Sequence, residues 1–374
     1  MAVRFLFIGC VTCALSCADA PIARAQTTEF VTEPLAQTLP DDPEEIVGFR
    51  NGNFVAVPVP FSSPGVGGGL ALGGGYLFKL DPEARTSVVG IGALGTEKGS
   101  EAYAALANIA FGKNKWLLDF LIGDADLRYD FILDNITIPL KQTGQLLNVG
   151  LAYGVTQNLS FGTRVRYLDT SVGLDLQTGG LLPPELQPDA RIELVNVSLT
   201  ADWDRRDDTD YPTNGFRLYG ELMRGGDLEN DERRYEKMFG TIDGYLTPRD
   251  RTVMTARATA CAAAEDTPFF DKCSIGATDN FRGFNATRFL DDRTLTFQAE
   301  VRQRFTQRIG GVVFAGVGWS GETVDDLWDN DANLAAGLGV RYRVSRNFPV
   351  DFSVDVSRND RGDDLVYIYV GQRW

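Results

Sequence analysis

Histidine is absent from the 374 residues. Its absence removes the usual general base, the usual partner of a catalytic serine and the commonest zinc ligand. No cofactor is expected, and enzymatic chemistry is left only Ser-Lys or carboxylate routes. After the first residues there is no apolar run of the ~20 residues that a membrane-crossing helix requires. Cysteine is scarce too: of five, Cys10, Cys13 and Cys17 fall near the start, leaving Cys261 and Cys273. Basic residues are outnumbered, 36 against 51, for a net charge of -15. A chain so acidic is not expected to bind nucleic acid.

What is present begins with an address. Residues 1-25 read as a secretory signal, with Arg4 as the positive start, Phe5 to Leu15 as the apolar stretch and Ala23-Arg24-Ala25 as an A-x-A cleavage site. An anchoring helix would need a longer apolar run. A lipoprotein signal at Cys17 would need a leucine where Ala14 stands. In an oxidising compartment the two remaining cysteines, Cys261 and Cys273, are expected to form a disulfide that pins the base of a loop. Residues 26-52, with Pro34, Pro40, Pro43 and the acidic run Asp41, Asp42, Glu44 and Glu45, read as a flexible acidic arm.

From Phe54 to Trp374 apolar and polar residues alternate one by one in short segments. Between Thr294 and Phe305, Leu295, Phe297, Ala299, Val301 and Phe305 fall on one face, and Thr296, Gln298, Glu300, Arg302 and Arg304 on the other. The pattern recurs without enough helical or second-layer sequence to cover the apolar faces, so these are expected to meet lipid. Residues 53-374 are thus read as an all-β fold, a transmembrane antiparallel β-barrel, since a closed barrel is the remaining way to satisfy backbone polar groups in hydrocarbon. Such barrels belong in a bacterial outer membrane, whose lipid and lipopolysaccharide would be its surroundings.

Turn signals divide the domain into about 16 strands, near 54-62, 66-79, 84-96, 99-111, 115-131, 143-155, 158-175, 191-204, 215-226, 233-247, 251-263, 294-306, 310-320, 333-344, 348-358 and 364-374. Connections alternate between tight ones, such as Lys113-Asn114 and Gln307-Arg308, and long ones at 132-142, 176-190, 264-293 and 321-332. Short turns belong on the periplasmic side of such barrels, which puts both termini in the periplasm. Trp116, Trp203, Trp319 and Trp374 fall at strand ends, where an interfacial aromatic girdle is expected. In the final strand Val366, Ile368, Val370 and Trp374 share one face, and Val370 with the closing Trp374 reads as a barrel-assembly signal.

The longest loop contains Phe281-Arg282-Gly283-Phe284, and Glu300 lies on the polar face of the next strand. Arg282 and Glu300 could meet in the lumen and hold the loop inside. This loop resembles the sixth external loop of the BamA/TamA superfamily of outer-membrane barrels, whose [VL]-R-G-[FY] motif occupies the barrel interior. Pro268-Phe269-Phe270 stands before the motif at the family's distance. The one long inner connection, Asp204-Arg205-Arg206-Asp207 through Pro212 to Gly215, resembles the family's D-x-R-D...P-x-x-G turn. Pro58-Val59-Pro60 and the glycines from Gly67 to Gly75 resemble the opening strands of short members.

Two departures stand out. The chain shows no POTRA domain sequence before the barrel, and Gly316-Val317-Gly318 stands where the family often has D-x-G. Arg282 is therefore expected to rest on Glu300 alone or to borrow Asp351 or Asp355. The resemblance implies a barrel that assists insertion or translocation of a protein or lipid client, with a periplasmic accessory protein as a possible partner, and a weak seam between first and last strands. Pro58 and Pro60 favour the same seam directly, because neither has a backbone N–H to donate. The other reading is a passive or gated channel for small solutes with a cation-favouring acidic lumen.

Overall fold

The computed structural model describes residues 49, 52-63, 65-81, 84-133, 136-175, 190-208, 211-230, 233-276, 281-343 and 351-374. The signal at 1-25, the arm as far as residue 48, the loop at 176-189 and the Arg346-Asn347 turn lie outside them. Strands follow in chain order: β1 (Asn53–Ser63), β2 (Gly67–Phe78), β3 (Ser87–Thr96), β4 (Glu101–Phe111), β5 (Trp116–Leu133) and β6 (Ile136–Gly154). Then come β7 (Leu159–Leu174), β8 (Ala190–Asp204), β9 (Gly215–Asp227), β10 (Arg234–Arg249) and β11 (Thr252–Ala263). After the short pair β12 (Cys273–Ser274) and β13 (Leu290–Asp291), the wall resumes with β14 (Arg293–Arg304), β15 (Ile309–Gly321), β16 (Asn333–Arg343), β17 (Asp351–Asn359) and β18 (Asp364–Val370).

Sixteen of these form one closed antiparallel barrel in which each strand lies beside its sequence neighbour, β11 pairs with β14, and β18 closes on β1. The period-two pattern sets the faces. Leu72, Ile91, Ile122, Leu151, Leu199, Ile242, Val313 and Leu338 are exposed, while Glu221, Lys237, Gln298, Glu300, Arg341 and Asp355 are buried inside. That inversion, apolar out and charged in, is what a lipid solvent selects. Among the described residues no helix is long and apolar enough to cross a membrane; the α-helix among the strands, α1 (Asp326–Asp329), is a single turn in the β15–β16 loop. On β2 to β5 the inner wall is itself apolar, with Leu77, Val88, Leu106 and Leu121 packed together.

Three expectations are corrected. The 132-142 connection is not a loop: β5 and β6 continue as a hairpin to the pair Leu133↔Ile136. Cross-strand partners sustain it, with Lys141 and Asp126 2.8 Å apart and the Tyr129 hydroxyl donating to Gln142 at 2.9 Å. The last strand ends at Val370 rather than Trp374, because Gly371 adopts φ +93 and turns the chain off the wall. Trp374 consequently leaves the predicted lipid face and girdle and is buried in the lumen. Gln372, in the turned-off tail, donates to the Asp351 carboxylate at 2.7 Å. Trp116 and Trp203 are exposed on the outer wall, each edge-on to a neighbouring ring, Tyr153 and Phe216. The end of the arm touches the barrel, with Phe49 against Tyr76 and Phe78.

Candidate functional site

The segment between β11 and β14 enters the barrel and is fastened at several points. At its base Cys261 and Cys273 form a disulfide. Past the Phe269–Asp271 turn, the Asp271 carboxylate accepts from Arg166 on β7, and from the Lys237 ammonium at 3.2 Å and Tyr235 hydroxyl at 3.1 Å on β10. Burial alone would raise the Asp271 carboxyl pKa, but Arg166 and Lys237 outweigh it and hold it below the ordinary value. On the far side, Thr287 donates to the Asp130 carbonyl at 2.6 Å and Arg288 pairs with Asp363 at 2.6 Å.

The centre of the site is Arg282, fully buried. Its guanidinium donates to Gln298 at 3.1 Å, to Asp355 at 2.6 Å and to Glu300. A planar fork with several fixed N–H groups suits such convergent acceptors in a way a lysine cannot. The cation also lies over the Phe314 ring at 3.7 Å and the Trp374 ring at 4.7 Å. Each carboxylate is shared: Glu300 also accepts from Arg302 at 2.6 Å, and Asp355 from Arg341 and from the Tyr369 hydroxyl at 2.7 Å. Of the two acids the sequence left open, Asp355 takes Arg282, while Asp351 is occupied by Arg304 and Arg343.

The flanking residues explain the motif's composition. Phe281 and Phe284 are buried and pack with Ile275 and Ala335. Gly283, at φ +131, has its backbone against β16, where an added Cβ would come within 2.1 Å of the Ala335 side chain. The Gly283 N–H donates to the Tyr367 hydroxyl at 2.9 Å, and its carbonyl accepts from Asn359 at 2.9 Å. Gly316, where the related pattern often carries an acid, clears the ring of Phe281, since a Cβ there would meet it at 2.5 Å.

Below the loop runs the chain's tail. Trp374 donates its indole N–H to Thr255 on β11 at 3.0 Å, and its carbonyl accepts from Arg302 on β14. Val370 remains in the β18 ladder, opposite Phe352. The tail thus bridges from β18 to the opposite side of the Arg282 cluster. Sequence reading missed this bridge and the Asp271 anchor, although Arg166 and Lys237 on polar faces facing an aspartate beside Pro268-Phe269-Phe270 offered a signal.

The long inner connection is compact. Arg206 forks onto Asp204 at 3.0 and 2.9 Å. Asp207 accepts the N–H groups of Thr213 at 2.9 Å and Asn214 at 3.1 Å, and these bonds, with the Thr213 hydroxyl, lower its carboxyl pKa despite partial burial. Pro212 is buried, and Gly215 at φ +105 passes where a Cβ would strike the Arg205 carbonyl at 2.1 Å.

Closure of the barrel is uneven. β17 and β18 pair from Phe352↔Val370 to Arg358↔Asp364, and β1 and β2 from Asn53↔Leu77 to Ser63↔Gly67. Among the described residues β1 and β18 pair at Ser62↔Ile368 alone.

Comparison with known proteins gives a consistent picture. The model of the Omp85 superfamily domain matches residues 93–374. No curated protein matches the sequence. BamA from Haemophilus ducreyi lacking POTRA domains 1-3 superposes with a TM-score of 0.58 at 12% identity, over 85% of this chain and 70% of that one. CdiB from Escherichia coli gives 0.59 at 14% identity, over 89% of this chain and 63% of that one. CdiB from Acinetobacter baumannii gives 0.58 at 12%, over 86% and 59%. The chain thus spans less than two thirds of either CdiB, and identities this low establish the fold alone.

Proposed function

The chain belongs to the Omp85 superfamily, an outer-membrane β-barrel, and from that premise we propose that it assists the insertion or translocation of a protein client, which engages the barrel at the β1–β18 seam. The observation that carries the reading is the seam's single paired position. Among the described residues no other position of β1 is registered against β18, and in hydrocarbon each unsatisfied backbone group costs several kcal/mol. An incoming client strand that supplies those bonds would be stabilised by β-augmentation. Pro58 and Pro60 keep β1 from offering a full row of donors to β18.

The lumen points the same way. The inner loop, Arg282 and the Trp374 tail occupy the path that a solute channel would need. On this reading the end of the barrel with the tight turns faces the periplasm, where an accessory protein could deliver a client.

A test uses two engineered bridges. Ser62→Cys with Ile368→Cys should lock the seam, and Val356→Cys with Val366→Cys should bridge an already complete strand pair. Oxidation of the first pair is expected to stop accumulation of client barrels in the outer membrane, and oxidation of the second to leave it unchanged. A seam lock without effect, together with steady ionic conductance of the unaltered protein, would refute the proposal in favour of a channel.

A further inference from the structure

Beneath the Arg282 lock, at the end of the barrel where β14 and β15 are joined by a tight turn, the lumen carries more positive charge than its own side chains balance. Five guanidinium groups meet three carboxylates there: Arg282, Arg302 and Arg341 share Glu300 and Asp355, Arg304 and Arg343 share Asp351, and the Gln372 amide links the two groups, accepting from Arg341 at 3.3 Å and donating to Asp351 at 2.7 Å. Among the described residues these are the acids that meet the five guanidinium groups. A carboxylate at Trp374, whose oxygen accepts from Arg302, would still leave one positive charge uncompensated. In a chain of net charge -15, a buried excess of arginine is not a by-product of composition. Isolated buried charge is among the costliest arrangements in a protein.

The excess has a direction. Arg302 is 2% exposed, and its Nη1 has no hydrogen-bond partner; the Nη1 of Arg304 is likewise buried and unpartnered. Both guanidinium groups lie against the same ring, Tyr211 of the long inner connection, at 5.9 and 5.1 Å, and Arg343 approaches it at 5.6 Å. Free donor edges of neighbouring arginines beside one tyrosine are the arrangement that a tetrahedral oxyanion satisfies, because it offers several acceptor oxygens and up to two negative charges at once.

We propose that Arg302 and Arg304, with Tyr211 and Arg343 beside them, form a lumenal binding site for a phosphate group. The group reaches the site from the tight-turn end of the barrel, as a free phosphate or as the phosphate of a lipid headgroup. Asp351, which accepts from Arg304 and Arg343, competes with the ligand for the same cations.

The test uses the full chain in zwitterionic detergent, titrated with inorganic phosphate and pyrophosphate against chloride at matched ionic strength and read by the thermal midpoint. A saturable rise with the phosphates is expected. Arg304→Gln should weaken the apparent affinity about tenfold, the effect of losing one charge-assisted contact. Asp351→Asn should tighten it, an outcome that a merely structural role for Asp351 would not produce and that keeps the proposal open to test if the arginine variant does not fold. In a second arm, native mass spectrometry compares retention of phosphatidylglycerol with that of a phosphate-free glycolipid. Retention of the phospholipid without response to free phosphate assigns the site to a headgroup, and response to free phosphate alone assigns it to the soluble ion. No response beyond chloride in the first arm and equal retention in the second would overturn the proposal, as would unchanged affinity in both variants.

Discussion

Replacing Arg282 by alanine tests the lumenal lock most directly. The side chain makes charge-assisted bonds to Glu300 and Asp355, a further bond to Gln298, and cation–π contacts with Phe314 and Trp374. Breaking a buried pair by removing one partner ordinarily costs about 3–5 kcal/mol, chiefly through the orphaned charge. Here neither acid is orphaned, because Glu300 keeps Arg302 and Asp355 keeps Arg341 and Tyr369. What is lost is the docking of the loop: two charge-assisted bonds at roughly 1.5–3 kcal/mol each, offset by the freedom that the released segment regains. A net loss of about 3 kcal/mol corresponds to roughly a hundredfold rise in the undocked population. The barrel should remain folded, since its ladders do not involve Arg282, and the disulfide and Asp271 should keep the base of the loop in place. In planar bilayers the variant should pass larger and more frequent currents than the unaltered protein, and protease added from the loop side should cut near residues 281-289. Identical conductance together with an identical digestion pattern would refute the lock.

Trp374→Ala removes the indole that bonds Thr255 and lies against Arg282; protease cleavage of the inner loop should quicken, though less than in Arg282→Ala, and an unchanged rate would sink the coupling of tail and loop. Reducing the Cys261–Cys273 disulfide, which closes a span of 12 residues, should destabilise the loop base by about 3 kcal/mol on the chain-entropy estimate, measured as faster proteolysis in dithiothreitol; the same rate in both conditions would count against it. Asp271 ionises below the ordinary carboxylate value, so its contribution is complete above that value and is lost as pH falls through the lowered one. Hydrogen exchange of the loop amides, relative to their intrinsic rates, should therefore quicken steeply in acid, and Asp271→Asn should exchange fast already at neutral pH with a flatter profile; parallel profiles would exclude Asp271 as the titrating anchor. Replacing Gly283 with alanine should undock the motif, because a Cβ would press on Ala335 at a φ that alanine avoids; wild-type protease resistance would contradict this.

Much of the architecture was legible in the residue order, for a local reason. Side-chain alternation along a strand is fixed by backbone geometry alone, so Leu295 to Arg304 divided into outward and inward sets before any partner strand was known, and the same rule marked nearly every wall strand. The pairing of Arg282 with Glu300 was legible because an arginine in a loop bound for the lumen needs an acid on an inward face, and the next strand offered one. Where the alternation is interrupted by backbone conformation, reading it forward fails. Gly371 ends β18 and sends Trp374 inward, where arginine cations, the Thr255 hydroxyl and a partner for the indole N–H outweigh the gain of burying the ring in lipid.

The sequence by itself determined that this is a membrane barrel, how strand residues divide between outward and inward faces, and that β1 makes a poor closing edge, since those follow from periodicity and from the missing N–H groups of Pro58 and Pro60. Only the tertiary structure decided that Asp355 rather than Asp351 receives Arg282. Both lie on the inward face of β17, four residues or about 13 Å apart along the strand, and the depth at which the loop is held selects between them. It also decided that the arginines of β14 and β16 converge on Tyr211. Strand stagger and the fold of one inner turn bring those groups together, and neither is encoded in the spacing of residues along a single segment.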